Sequence, residues 1–154
     1  MKVLFVCTGN SCRSPIAEAL LKKTAKERGL NIEVKSCGTR TLLGMAATRE
    51  AIESLKKENV SIFDHRSQQL NQELIDWADL ILVMEERHKQ ELLQYSAGVG
   101  SKVFLLTEFA EKNSRDIIDP IAKPLEIYEG LVMDLKFYLT KVIERIENEN
   151  ISGQ

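Results

Sequence analysis

Apolar residues fall along this chain in short solid runs separated by stretches of helical spacing. Val3-Leu4-Phe5-Val6 is unbroken by polar residues, which suits a parallel strand covered on both faces. Leu80-Ile81-Leu82-Val83-Met84 and Val103-Phe104-Leu105-Leu106 have the same character. Ile32-Glu33-Val34-Lys35 alternates as a further strand and runs into Ser36-Cys37-Gly38-Thr39. From Pro15 to about Arg28, Ile16, Ala17, Leu20, Leu21 and Thr24 recur at helical spacing, with Pro15 suited to the first helical position and Gly29 to the stop. Helices are also expected over residues 47–58, around 73–77, and as a polar segment over 86–95. A long amphipathic one runs from Leu125 to about Glu147, carrying Ile127, Leu131, Leu135, Tyr138, Leu139, Val142 and Ile146. Strands alternating with helices predict an α/β fold in three layers, a parallel sheet with right-handed crossovers and helices on both faces. No repeat or linker interrupts the pattern, so residues 1–154 read as a single domain, with a tail from Glu147 to Gln154 expected to fray.

Composition changes little in this picture. At 154 residues, 44% hydrophobic and 29% charged, the chain has the make-up of an ordinary globular domain. A net charge of −2 gives no whole-protein field toward nucleic acid or an anionic membrane, and no apolar stretch nears the ~20 residues of a membrane span. The four-residue run at the start is too short for a signal-peptide core, so a cytoplasmic setting is expected. Cys7, Cys12 and Cys37 make an odd count without a secretion signal, which disfavours a disulfide framework and leaves reactive thiol chemistry open.

The chemistry concentrates in VCTGNSCRSP, residues 6–15, between the first strand and the first helix. In open α/β sheets the ligand site lies beyond the carboxyl ends of the strands. Inward backbone N–H groups from Thr8 through Gly9, Asn10, Ser11 and Cys12 to Arg13, with a helix N-terminus behind them, suit a phosphate-like anion. Gly9 offers backbone freedom, and Asn10 suits a left-handed turn tied by side-chain hydrogen bonds. Cys7 and Arg13 flank five residues, so both can face one anion. The helix end, the amides and the arginine are expected to lower the thiol's pKa, while Arg13 can clasp two phosphate oxygens. Ser14 is close enough in sequence to hydrogen-bond the Cys7 thiolate, or simply to cap the helix. The alternative, a cysteine that is only a small buried hydrophobe, is disfavoured by this strand-to-helix setting.

VCTGNSCRSPIAEALL resembles the signature of the low-molecular-weight protein phosphatases, and later segments match in order along essentially the whole chain. The resemblance implies a four-stranded parallel sheet and a phosphocysteine intermediate. By it, Cys7 is the nucleophile, Arg13 the phosphate clamp, and Asn10 and Ser14 the loop supports. Ser36 in KSCGT matches a serine that bonds the loop asparagine, and His65 in DHRSQQL matches a supporting histidine. A thiol mechanism also needs a proton donor that later acts as base. Asp116 and Asp119 in SRDIIDPIAKP are the candidates. Pro120 biases Asp119 toward extended backbone, and the family's acid sits in a late Asp-Pro pair, so Asp119 is chosen and Asp116 read as a solvated loop charge.

Substrate choice rests on fewer residues. Four positions after the nucleophile, family tyrosine phosphatases usually carry a bulky aliphatic residue and arginine phosphatases a threonine; this chain has Ser11. After Asp-Pro it has Ile121-Ala122, where those relatives carry paired tyrosines or a phenylalanine. Leu42 and Leu43, expected on the pocket rim, supply no aromatic either. A guanidinium gains from hydroxyls and carboxylates, so Ser11 and Asp119 favour phosphoarginine in proteins over phosphotyrosine. The loop is also similar to that of thioredoxin-coupled arsenate reductases, but VMEERHKQ, residues 83–90, lacks the relay cysteine and Pro15 replaces their usual glutamine. A non-catalytic anion-binding domain is the remaining alternative, and it would need no thiol.

Family members with the Cys7–Cys12 pair can form a protective disulfide between them; a plain packing role for Cys12 stands equally beside it. Cys37 is expected in the core, and His88 with its charged neighbours on a solvated helix face. Two distant histidines suggest no metal site, and no cofactor is required. The expected partners are phosphorylated proteins, with inorganic phosphate as product and without nucleic acid or membrane; the oligomeric state is open.

Overall fold

The computed structural model describes residues 1–152. Four strands, β1 (Lys2–Cys7), β2 (Glu33–Gly38), β3 (Leu80–Val83) and β4 (Val103–Leu105), pair in parallel in the order β2-β1-β3-β4. The helices are α1 (Arg13–Glu27), α2 (Arg49–Ser54), α3 (Gln72–Trp77), α4 (Glu86–Tyr95), α5 (Leu106–Glu111) and α6 (Leu125–Ser152).

The strict alternation of β1 builds two cores. Val3, Phe5 and Cys7 face a layer made by α1, α2, α5 and α6, where Ile16, Leu21, Leu55, Phe109, Leu135 and Ile143 pack. Leu4 and Val6 face the opposite layer, where Leu74, Ile75 and Leu92 of α3 and α4 pack with Ile81 and Val83. Each such side chain contributes ~1.5–3 kcal/mol by leaving water. The three layers and the parallel sheet are those expected. Strand order reverses at β1, whose two neighbours belong to opposite directions of the chain, so a crevice opens beyond the ends of β1 and β3. No helix among the described residues is long and apolar enough to cross a membrane.

Several boundaries move. α1 starts at Arg13, which makes Pro15 its third residue; the N–H groups of the whole first turn lack intrahelical partners, so proline is tolerated there as well. The expected helix over 47–58 is shorter: the Thr48 hydroxyl caps Arg49–Ser54, and a 3₁₀ turn over Lys56–Glu58 ends at left-handed Asn59. Leu106 opens a short helix instead of closing β4, and its Phe109 packs into the first core. Ile127 is half-exposed, and the buried face of α6 begins with its neighbour Tyr128 and with Leu131. The tail expected to fray continues helical to Ser152, and its last two positions lie outside the described residues.

Candidate active site

The loop after β1 is held by Asn10, which sits in the left-handed region at φ 54°. Gly9, expected to supply the loop's freedom, is not in that region; the asparagine takes the turn. The amide nitrogen of Asn10 donates to Ser14 Oγ at 2.8 Å and to Ser36 Oγ at 2.9 Å. Its side-chain oxygen accepts from Gln68 N at 3.0 Å, and His65 Nε2 donates to its backbone carbonyl at 2.7 Å. All four supports picked from the sequence, Asn10, Ser14, Ser36 and His65, therefore meet at one buried residue. The glycine that matters sterically is Gly38: a Cβ there would stand 2.4 Å from the carbonyl oxygen of Thr8.

Cys7 is buried, with Ser14 Oγ at 2.9 Å and the Asn10 N–H at 3.3 Å from its sulfur. Burial pushes the Cys7 thiol up; the Ser14 hydroxyl, the Arg13 charge and the amides of Ser14 and Asn10 oppose this without overcoming it. The lowered thiol pKa expected from the sequence is thus corrected. That expectation counted the donors around the sulfur and left out the lost water.

Arg13 has its side chain almost fully enclosed. Nη1 donates to Glu85 Oε2 at 2.8 Å and to the carbonyl of Ile117 at 2.7 Å, which uses both of its protons. The Nε–Nη2 edge is left for a second partner, and Asp119 Oδ2 lies 3.5 Å from Nη2. Asp119 Oδ1 accepts from Ile121 N at 3.1 Å, a turn that fixes the carboxyl group. Cys7, Thr8, Gly9, Ser11, Cys12, Arg13, Asp119 and Ile121 enclose a cavity of about 190 Å³. A larger one of about 520 Å³ lies behind the loop against Glu18, Ser36 and His65. It holds neither a cysteine nor Arg13, whereas the smaller cavity holds Cys7, Arg13 and Asp119 together. Leu42 and Leu43 are exposed and do not line this smaller cavity.

Two residues read as solvated, His88 and Glu85, have other places, while Asp116 stays an exposed loop charge. His88 is fully buried: Glu85 N donates to its Nδ1 at 3.1 Å, and Nε2 lies 2.8 Å from Thr8 Oγ1. Burial first, then the Arg13 charge, lowers its pKa to about 4, so the ring is neutral. Burial raises the Glu85 carboxyl, but hydrogen bonds from Arg87 and Arg13 outweigh it and hold the group below its usual range. Asp116 Oδ1 accepts from Glu86 N at 2.9 Å, at the start of α4. Glu85 and His88 were missed although they stand directly after β3, beside β1, where the crevice must open. His88 also lies one turn before buried Leu92, which placed it on the inner face of α4.

Cys7, Cys12 and Cys37 are free thiols. Cys12 Sγ lies 3.4 Å from Tyr128 Oη and 3.6 Å from Thr48 Oγ1, and Cys37 is in the second core. Among the described residues no group of three or more His, Cys, Asp or Glu side chains is placed to hold a metal ion.

Residues 2–152 match the model of the family described as "Low molecular weight phosphotyrosine protein phosphatase". A protein-arginine-phosphatase of Bacillus subtilis is 36% identical over 149 residues, covering 97% of this chain and 99% of that protein. A mutant of the YwlE arginine phosphatase with a phosphorylated active-site serine superposes with a TM-score of 0.93, at 35% identity over 96% of each chain. A low molecular weight protein tyrosine phosphatase from T. tengcongensis gives 0.91, at 40% identity over 94% of this chain and 99% of that one.

Proposed function

The chain belongs to the low molecular weight phosphotyrosine protein phosphatase family, a family of cysteine-dependent phosphatases, and from that premise we propose that it dephosphorylates phosphoarginine in proteins through a phosphocysteine on Cys7. One observation carries the choice of substrate. The cavity that holds Cys7 is also lined by Ser11 and by Asp119 with its carboxyl group, and among the described residues none that borders it is aromatic. A guanidinium leaving group has N–H donors that need such acceptors.

The chemistry runs in two steps. The Cys7 thiol first gives its proton to solvent, and the thiolate, held by the Ser14 hydroxyl and the Arg13 charge, attacks phosphorus; the S–P bond forms as the N–P bond breaks. Asp119, protonated at this stage, gives its proton to the departing guanidine nitrogen, which would otherwise be a very poor leaving group. Arg13, through its Nε–Nη2 edge, and the loop amides hold the equatorial oxygens as charge builds on them. Water then attacks the phosphocysteine, Asp119 now takes the water's proton, and Cys7 leaves as thiolate stabilised by the Ser14 hydroxyl. Inorganic phosphate departs and both groups return to their starting states. Asn10, Ser14, Ser36 and His65 keep the loop in shape, and Cys12 is the partner for a protective bond to Cys7. The chain acts as one domain in the cytoplasm, where its thiols stay reduced, with no cofactor and no nucleic-acid or membrane partner.

A second reading, tyrosine phosphatase, is favoured by one feature: half-exposed Ile121 borders the cavity and can pack on a phenyl ring. The arsenate-reductase reading lacks an outward relay, because Cys37 is wholly buried in the core on the other face of the sheet. The deciding experiment compares kcat/KM on phosphoarginine and phosphotyrosine in matched peptides under reducing conditions, with Cys7→Ser as the blank. Preference for phosphoarginine, reduced by Ser11→Ile, is expected; preference for phosphotyrosine in the wild type overturns the substrate assignment.

A further inference from the structure

His88 is a buried neutral ring with both nitrogens engaged. Because the Glu85 N–H donates to Nδ1, the ring proton must be on Nε2, and His88 donates to Thr8 Oγ1 at 2.8 Å. Arg87 Nη2 donates to the same oxygen at 2.7 Å. A hydroxyl has two acceptor positions and one proton. Both acceptor positions of Thr8 are filled, so its hydroxyl can only donate onward. Thr8 borders the cavity together with Cys7, Arg13 and Asp119.

We infer that the Thr8 hydroxyl donates to the phosphoryl group of the substrate, and that His88 is the positioning residue that holds it in that role. The inference rests on the reading of this cavity as the phosphoryl site and adds a side-chain donor to Arg13 and the loop amides. A hydroxyl donating to a phosphoryl oxygen makes a charge-assisted bond, about twice as strong as a neutral one. The same polarity has a consequence for specificity. Thr8 has no lone pair left for a guanidinium N–H, so Ser11 and Asp119 must receive the leaving group.

The test is calorimetric binding of inorganic phosphate, with kcat/KM measured beside it. Thr8→Val should weaken phosphate binding about tenfold, the scale of one hydrogen bond to a charged group. His88→Asn keeps an acceptor for the Glu85 N–H but cannot reach Thr8, and should weaken phosphate binding several-fold. His88→Gln puts an amide N–H where Nε2 was and should restore most of it. In the Thr8→Val background His88→Asn should cost nothing more. Wild-type phosphate affinity in Thr8→Val, or an undiminished effect of His88→Asn in that background, overturns the inference. Phosphate binding needs no turnover, so a chain that binds phosphate through Thr8 yet hydrolyses no phosphoprotein sinks the phosphatase reading alone. One that binds no phosphate sinks both.

Discussion

The Ser14 hydroxyl lies 2.9 Å from the Cys7 sulfur, and Asn10 decides which of the two donates. The amide nitrogen of Asn10 can only donate, so Ser14 Oγ accepts there and turns its own proton toward Cys7. The bond is worth most when the sulfur is a thiolate, as nucleophile and again as leaving group. A hydrogen bond to a charged group is worth ~1.5–3 kcal/mol. In Ser14→Ala the thiol pKa should rise by about one unit or more. The pH profile of iodoacetamide alkylation at Cys7 reads this directly, and an unmoved profile would mean that the hydroxyl only packs the loop.

In the proposed mechanism Asp119, 3.5 Å from Arg13, serves both steps, as acid and then as base. Asp119→Asn should therefore slow turnover roughly 10²–10⁴-fold. Asp116→Asn should leave the rate close to wild type, since its carboxylate is spent on Glu86 N. Comparison of the two single-turnover rates checks the assignment, and the opposite ranking would transfer the acid role to Asp116.

Gly38 lies under the loop, where an added methyl would meet backbone at 2.4 Å. Gly38→Ala must push β2 away from Thr8, an overpacking cost of about 1–3 kcal/mol. Urea unfolding should show that loss, and phosphate affinity should fall with it. Unchanged affinity would mean that the loop tolerates the shift.

Acid should weaken the fold through His88. Its pKa in the folded chain is about 4 against an ordinary 6.5. Below pH 6.5 the unfolded chain takes up a proton that the folded chain refuses. The stabilisation is therefore complete above that pH and is lost as pH falls toward 4, by about 3 kcal/mol at the acid limit. Glu85, held below its usual range, adds in the same direction under pH 4.5. Urea midpoints at pH 7 and pH 5 should differ more in the wild type than in His88→Gln; equal differences would contradict a buried neutral ring.

What the sequence revealed and what it hid follow mostly from how far apart along the chain the interacting residues lie. Cys7, Asn10, Arg13 and Ser14 fall within eight consecutive residues, so the loop's chemistry is written locally and could be read there. Ser36 and His65 are distant, and only the family resemblance pointed to them. Glu85 and His88 meet the loop across some eighty residues of chain, through the pairing of β3 with β1, which no local pattern displays. Charged neighbours made α4 look solvated, although one face of it is buried. Leu106–Glu111 went unread because it follows β4 without any polar break. The lowered thiol pKa failed for a different reason: sequence shows the donors near a sulfur and not how far water is excluded from it.

The central claim is a phosphoryl group carried on Cys7. Rapid acid quench of the enzyme with an arginine-phosphorylated protein, followed by mass spectrometry of the loop peptide, tests it most directly. A phosphorylated Cys7 that forms and decays at the rate of turnover, accumulates in Asp119→Asn, and is absent in Cys7→Ser is the predicted result. Turnover without any phosphoryl group on Cys7, or with the group on another residue, would contradict the account.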